Sequence, residues 1–307
     1  IKAKKRIIVR GDLHADFKMT KKLFTDLNLI NNNKKWIARP LDTVVVQVGD
    51  ILDGGGRGSD TEATGEMEII DFLEYIHEQA ELYNGGVYSI LGNHEIMNVM
   101  GNFSYASQFD IKKDGGEEIR RLKYNNGSTL ANKMSCTRNA IMKVGSFLFV
   151  HAGVLPNHIN DISKKLGLSK DNKVNPNNPN NQKKFIDYLN NLMRDFLQGN
   201  KDKNNEEINK YFLDQSAILW TRNYGKDNIN CDNLSQVLDY LKLGSMVIGH
   251  TPQIDGINNK CNKKLWRVDV GLSSSFSHHK KIQVLEILDD GKSNNHNNFK
   301  PFRVINL

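Results

Sequence analysis

Asp12, His14, Asp50, Asn93, His151 and His250 are the residues of this chain whose types and spacing could do chemistry. Carboxylate, amide oxygen and imidazole are the donors that hard and borderline divalent cations prefer. Asp12 and His14 stand two positions apart, so both side chains can leave one strand end on the same side. Asp50 has two oxygens and could bridge two cations, with Asn93, His151 and His250 completing the second. Two cations about 3.5–4 Å apart share a bridging hydroxide and clamp a phosphoryl oxygen, and their charge brings the pKa of a water toward neutrality. The chemistry expected of such a set is hydrolysis at phosphorus. Any one buried His or Asp is more often a hydrogen-bonded structural residue than a ligand, so the joint occurrence carries the reading.

Each of these residues follows a short β-branched run. Residues 6–9 lead into Gly11-Asp12, 43–48 into Gly49-Asp50, 87–91 into Gly92-Asn93-His94-Glu95, 146–150 into His151, and 246–248 into Gly249-His250. Continuous apolar runs bounded by glycine read as strands buried on both faces. Between them lie helical patterns such as 66–82, with Met67, Ile70, Phe72, Leu73 and Ile76 on one face. The alternation implies α/β layering around a central sheet, whose ligands bind beyond the carboxyl ends of the strands. Segment 155–220 reads as a helical insertion that caps or flanks the site, because Phe185, Leu189, Leu192, Met193 and Phe196 recur at helical spacing. Asn-rich stretches at 31–33, 172–182, 200–209 and 294–298 read as surface loops or disordered inserts. The tail returns to strands at 265–271, 281–288 and 302–307.

Composition narrows the function classes. The formal charge of +7 is scattered in pairs such as Lys4-Lys5, Lys34-Lys35 and Lys280-Lys281, with no long basic block or aromatic-basic groove, so no nucleic-acid partner is expected. Cys136, Cys231 and Cys261 lie far apart, form no CxxC pair and are odd in number, which argues against a disulfide framework. No apolar run approaches the roughly 18–20 residues of a membrane span. The chain opens on Ile1 rather than Met and reads as trimmed, leaving secretory or membrane-associated routing, compartment and oligomeric state open.

Gly11-Asp12-Leu13-His14, Gly49-Asp50-Ile51-Leu52-Asp53, Gly92-Asn93-His94-Glu95, Val150-His151-Ala152-Gly153 and Gly249-His250-Thr251 stand in the order and form of the calcineurin-like metallophosphatases, which the chain resembles from about residue 6 to residue 272. Leu91-Gly92-Asn93-His94-Glu95-Ile96-Met97-Asn98 and Leu219-Trp220-Thr221-Arg222-Asn223-Tyr224 are similar to segments of the Shewanella-like protein phosphatase branch. The resemblance implies an α/β fold, a metallophosphatase-type β-sandwich flanked by helices, in one catalytic domain over residues 1–307. It places Asp12, His14 and Asp50 on a first metal and Asp50, Asn93, His151 and His250 on a second, with manganese expected and iron or zinc as alternatives. His94 takes the part of general acid, oriented by Asp53, which suits a leaving oxygen that departs poorly without a proton. Arg222 takes the part of a phosphate clamp, where a guanidinium fork matches two phosphoryl oxygens. The implied activity is hydrolysis of phosphomonoesters on phosphoproteins, phosphotyrosine favoured and phosphoserine or phosphothreonine also accepted. The alternative on the same frame is a small-molecule phosphoesterase acting on dinucleoside polyphosphates or phosphodiesters.

The chain departs from the common family pattern in two places. Gly54-Gly55-Gly56 separates Asp53 from Arg57, so Arg57 either swings into the site or decorates the turn. Ser89-Ile90-Leu91-Gly92 lacks the Arg that precedes this Gly in the main serine/threonine branch, and Trp266-Arg267-Val268-Asp269-Val270-Gly271 replaces that branch's Ser-Ala-Pro-Asn-Tyr tail. Arg120 and Arg121, after two glutamates, read as helix-face ion pairs. Phe103 and Tyr105 read equally as walls of a substrate pocket or as core, and His278 and His279 as surface residues.

Overall fold

The computed structural model describes residues 1–56, 62–170, 173–174, 180–276, 282–292 and 300–307. The apolar runs form strands, but they divide between two packed sheets instead of sharing the central sheet that strand–helix alternation suggests. The strands are β1 (Arg6–Arg10), β2 (Val44–Gln47), β3 (Gly86–Ser89), β4 (Ile141–Val144), β5 (Phe147–Val150), a hairpin of β6 (Ser169–Lys170) and β7 (Lys173–Val174), β8 (Ser245–Ile248), β9 (Asn258–Lys260), β10 (Leu265–Arg267), β11 (Gln283–Leu288) and β12 (Phe302–Asn306). One sheet has the order β12-β11-β1-β2-β3, the other β4-β5-β8-β10-β9. In the first, β1, β2 and β3 run parallel; in the second, β5, β8 and β10 do. Every strand end that leads to a predicted ligand therefore lies within a parallel set.

The helices are α1 (Phe17–Asp26), α2 (Glu66–Glu81), α3 (Asn93–Val99), α4 (Gln108–Asp114), α5 (Glu117–Tyr124), α6 (Thr129–Thr137), α7 (Pro156–Lys165), α8 (Asn181–Leu197), α9 (Glu206–Ile208), which continues as a π-turn over Asn209–Leu213, and α10 (Cys231–Leu241). Side-chain alternation in the second sheet shows how the layers stack. Phe147, Phe149, Val247 and Trp266 join Ile7, Val9, Val44 and the α1 and α2 faces in one apolar cluster. Their neighbours Leu148, Val150, Met246, Ile248 and Leu265 join Phe185, Leu189, Leu192 and Phe196 of α8 and Leu234, Val237 and Leu238 of α10 in the other. The period of two sends alternate residues to opposite faces, so both faces of this sheet are buried. Residues 155–220 carry α7, α8 and α9 with the β6–β7 hairpin, and α7 and α8 cover the outer face of the second sheet.

Two sequence expectations are corrected, on the cysteines and on one Asn-rich stretch, whereas the stretch at 31–33 is a surface turn in line with its reading. Cys231 and Cys261 form a disulfide across 30 residues with Cα atoms 5.5 Å apart, tying the start of α10 to the turn between β9 and β10; parity left Cys136 over and hid the pair. The end of the Asn-rich stretch, residues 206–209, is helical and runs on to residue 213, capped by Asn205, whose side chain accepts from the amides of Glu207 and Ile208. Asn31 closes a tight turn by accepting from the amides of Asn33 and Lys35. Most of 172–182, together with 294–298, His278 and His279, lies outside the described residues.

The first turn of α7 holds a buried histidine. Pro156 opens α7, and His158 Nδ1 accepts the Leu155 amide at 3.1 Å, with His158 only 1% exposed. Burial pushes the His158 pKa down to about 4. A group whose folded pKa is lowered contributes stability above its unfolded value, near 6.5, that is lost as pH falls through the folded one, because the unfolded chain takes up the proton first. Stability is therefore expected to fall by about 3 kcal/mol between neutral pH and pH near 4 from this group alone. His158→Gln should flatten that part of the urea-unfolding free energy against pH; an unchanged slope would assign the acid sensitivity elsewhere.

Candidate metal centre

The sequence folds into sharp turns directly after the strands, and these turns aim the polar side chains. His14, Asp50, Asp53 and His250 all have left-handed backbones, with φ of 42°, 57°, 70° and 66°. Non-glycine residues rarely adopt this region, and such strain concentrates where function needs it. Two glycines make room for carboxylates. A Cβ on Gly92 would strike the Asp50 carboxylate, and one on Gly249 would strike Asp12. Asp12 and His14 follow β1, Asp50 and Asp53 follow β2, and Asn93 and His94 open α3 after β3. From the other sheet, His151 follows β5 and His250 follows β8. The site thus lies across the seam of the sandwich.

All six predicted ligands are buried and come together. His14, Asp50 and His94 offer donor atoms within 4.8 Å of one another, and so do Asp50, His151 and His250. Asp12 stands beside the first group, its Oδ2 3.9 Å from His14 Nε2, and its carboxylate accepts the His250 amide at 3.1 Å. The first group differs from the positional reading in bringing in His94, whose Nε2 lies 3.8 Å from Asp50 Oδ2.

Backbone carbonyls fix how the imidazoles present themselves. His14 Nδ1 lies 3.1 Å from Leu52 O, His151 Nδ1 2.8 Å from Val48 O, and His250 Nε2 3.0 Å from Trp220 O. Each of these nitrogens carries the proton it donates, so His14 Nε2, His151 Nε2 and His250 Nδ1 face the site as acceptors. Asn93 Oδ1 lies 2.9 Å from both His151 Nε2 and His250 Nδ1, and Asp50 Oδ2 is 3.2 Å from His151 Nε2. In these tautomers the lone pairs of His151, His250, Asn93 and Asp50 converge. The buried charges act on one another. Burial, then Asp269 and Asp50, push the Asp12 carboxyl well up, whereas His151, His94 and His14 hold Asp50 well down against the effect of burial. Burial works to lower His151, but Asp50 and the bond to Val48 raise it on balance; burial and then His151 push His250 down to about 3. Acids this close need positive charge among them.

His94 Nδ1 and Asp53 Oδ2 are 2.7 Å apart, so these two residues are in direct contact. Arg222 is exposed on the rim, lines the same cleft, and donates Nη1 to Thr251 Oγ1 at 3.3 Å. Arg57 lies outside the described residues. Tyr105 lines the cleft and meets the His94 ring edge-on at 5.2 Å, whereas Phe103 is core with Ala106 and Ile111, so the two aromatics divide the two roles between them.

Sequence reasoning missed a sixth strand end and a brace. Asp269 follows β10, which stops at Arg267 rather than running on to 271; the strand-end rule would have found Asp269 had that early stop been legible. Glu95 is 1% exposed and accepts the amides of Asp50 and Gly92 on Oε2 and of Ile51 and Leu52 on Oε1, at 2.7 to 3.1 Å. One carboxylate thereby ties the turn after β2 to the turn after β3. Arg120 is fully buried rather than paired on a helix face, and forks onto Glu66, Asp114 and Asn98.

Comparison with known proteins fits this geometry. Residues 5–269 match the family model described as calcineurin-like phosphoesterase. An uncharacterised protein of Acanthamoeba polyphaga mimivirus is 35% identical over 267 residues, covering 76% of this chain and 97% of its own. Shewanella-like protein phosphatase 2 of Arabidopsis thaliana is 27% identical, covering 93% and 75%. A cold-active protein-tyrosine phosphatase of a psychrophilic Shewanella has a similar fold, with a TM-score of 0.69 at 18% identity over 93% of this chain and 76% of that one.

Glu95→Gln keeps the shape of the brace but turns an amide group toward backbone amides. Bonds to a charged acceptor contribute about 1.5–3 kcal/mol each, so a loss of about 3 kcal/mol in unfolding free energy is expected together with loss of activity. Wild-type stability in that variant would show that the four bonds do not hold the two turns.

Proposed function

The chain belongs to the calcineurin-like phosphoesterase family, and we propose that it is a metal-dependent phosphoprotein phosphatase that favours phosphotyrosine and also accepts phosphoserine and phosphothreonine. The observation that carries the metal assignment is the convergence of His151 Nε2, His250 Nδ1 and Asn93 Oδ1, all acceptors at 2.9 Å, beside the Asp50 carboxylate. Such a donor set fits a divalent cation and suits no neutral occupant as well. Asp12, His14 and Asp50 would hold one ion and Asp50, Asn93, His151 and His250 the other, manganese first among the candidates. The chemistry a bound pair supplies is Lewis acidity, which acidifies water and offsets charge on phosphoryl oxygens.

The chain's own groups account for the rest. Arg222, on the rim of the cleft, is suited to grip two phosphoryl oxygens of the substrate with its fork. His94, held through Nδ1 by Asp53, presents Nε2 to the cleft and gives its proton to the departing oxygen as the phosphorus–oxygen bond breaks. The second product is then a neutral alcohol or phenol rather than an alkoxide or phenolate. Tyr105, Trp220, Phe276, Met97 and Pro252 line a cleft of about 500 Å³ around this polar floor. Aromatic walls of this kind support a phenyl ring on the leaving group, which favours phosphotyrosine. The likeness to a Shewanella-like protein phosphatase supports a protein substrate.

The test is phosphate release from matched phosphotyrosine and phosphothreonine peptides after chelation and after manganese is restored. Release that depends on manganese and prefers phosphotyrosine is the expected result. A phosphothreonine preference would keep the mechanism and overturn the substrate. Preference for diadenosine polyphosphate or a phosphodiester would replace the reading with a small-molecule phosphoesterase. Asp50→Asn should lose metal at both positions by elemental analysis; two metals per chain in that variant would refute bridging.

A further inference from the structure

One guanidinium, remote from the cleft, holds both grips on Asp53. Arg120 comes from α5 and is fully buried. Its Nε and Nη2 donate to Asn98 Oδ1 at 3.0 and 2.7 Å, and it meets Glu66 through Nη1 and Nη2 at 2.8 and 2.9 Å. Each of those partners passes the hold on to Asp53. Asn98 Nδ2 donates to Asp53 Oδ1 at 2.8 Å, and Glu66 Oε1 accepts the Asp53 amide at 3.0 Å. Asn98 Nδ2 also bonds the His94 carbonyl at 2.9 Å, so it ties both members of the Asp53–His94 pair. Asp53, fully buried with a left-handed backbone, is thus fixed at its amide and at one carboxylate oxygen, leaving Oδ2 for His94. Asn98 can make these bonds in one amide orientation only, since its Oδ1 faces a guanidinium that has no acceptor.

We infer that Asn98 and Arg120 are positioning residues for proton delivery: they lock Asp53 Oδ1, so that Oδ2 sets the plane of the His94 ring and the aim of its Nε2. This rests on the reading of His94 as the general acid. Neither residue lines the cleft; a carboxylate held by His94 through Oδ2 alone still turns about its Cβ–Cγ bond, and Asn98, oriented by Arg120, pins Oδ1 as the second point, with Arg120 Nη2 itself 3.8 Å from Oδ1. The amide and the guanidinium remove that freedom. Preorganised orientation of this kind is worth rate only where the oriented group acts. The loss on removing it should therefore fall on substrates whose leaving group needs a proton, and should spare those whose leaving group does not.

The measurement is kcat/KM for phenyl phosphate and for p-nitrophenyl phosphate, whose leaving group departs without help, in manganese-loaded wild type, Asn98→Ala, His94→Asn and the double variant. His94→Asn should lose about 10²–10⁴-fold on phenyl phosphate and far less on the nitrophenyl ester. Asn98→Ala should show the same selectivity with about a tenfold or larger extra loss on phenyl phosphate, and adding it to His94→Asn should leave the ratio of the two substrates unchanged. Equal losses on both esters in Asn98→Ala, beside a selective His94→Asn, would reduce Asn98 to a structural role and overturn the inference. An unselective His94→Asn would overturn the general-acid reading itself, and the inference with it. Arg120→Lys keeps a cation between Glu66 and Asp114 while losing the fork onto Asn98, so it serves as the second probe where Asn98→Ala does not fold. A selective loss there supports the inference and an equal loss on both esters overturns it.

Discussion

The Asp50 carboxylate is almost fully removed from water, near Asp12, Asp269 and Glu95, and the surrounding structure answers that concentration of buried negative charge. An isolated buried carboxylate is costly unless it is paired and hydrogen-bonded. Asp50 receives the His94 amide at 2.9 Å and faces His151, while Glu95 spends its own charge on four amides. The glycines at 92 and 249 let carboxylates press against bare backbone. The left-handed turns bring side chains from separate strands to one point. The fold is arranged so that each acid has an assigned neighbour and the shared remainder of charge falls at the centre.

Much of this was legible in the sequence because it is local. Gly-Asp, Gly-Asn-His-Glu and Gly-His pairs after β-branched runs gave the strand ends, and the structure gathers His14, Asp50, His151 and His250 there, with Asp12 and Asn93 beside them. What was not legible depended on distance through space. Local alternation of strands and helices carries no information on which strands share a sheet, so the two-sheet sandwich was legible only through the family resemblance. Arg120 follows Glu117 and Glu118 in sequence and looks like a surface helix residue, yet its partners Glu66 and Asn98 lie on other helices. Cys231 and Cys261 pair only because α10 begins beside the β9–β10 turn. Asp269 was missed for the opposite reason: the strand before it is three residues long, too short for periodicity to mark its end.

The site also explains why α3 is buried along its whole length despite its polar sequence. Asn93 faces the metal-type donors, His94 the cleft, Glu95 the two turns and Asn98 the Asp53 carboxylate, so successive positions serve different faces of one short helix. Ordinary amphipathicity would waste such a helix. Its polar residues add directed bonds to the packing of Ile96 and Val99, and these specify orientation more tightly than burial alone.

The pairing of β1 with β11 bears on when the molecule becomes competent. Ile8 lies opposite Glu286, so the strand that delivers the first ligands is completed by a segment that comes after every ligand in the chain. A nascent chain already possesses every donor once residue 269 has emerged, yet β1 still has an unsatisfied edge. Translation thus imposes an interval in which the chemistry is encoded but not assembled. A chain that stopped before β11 would carry the motifs without the finished sheet that aims them.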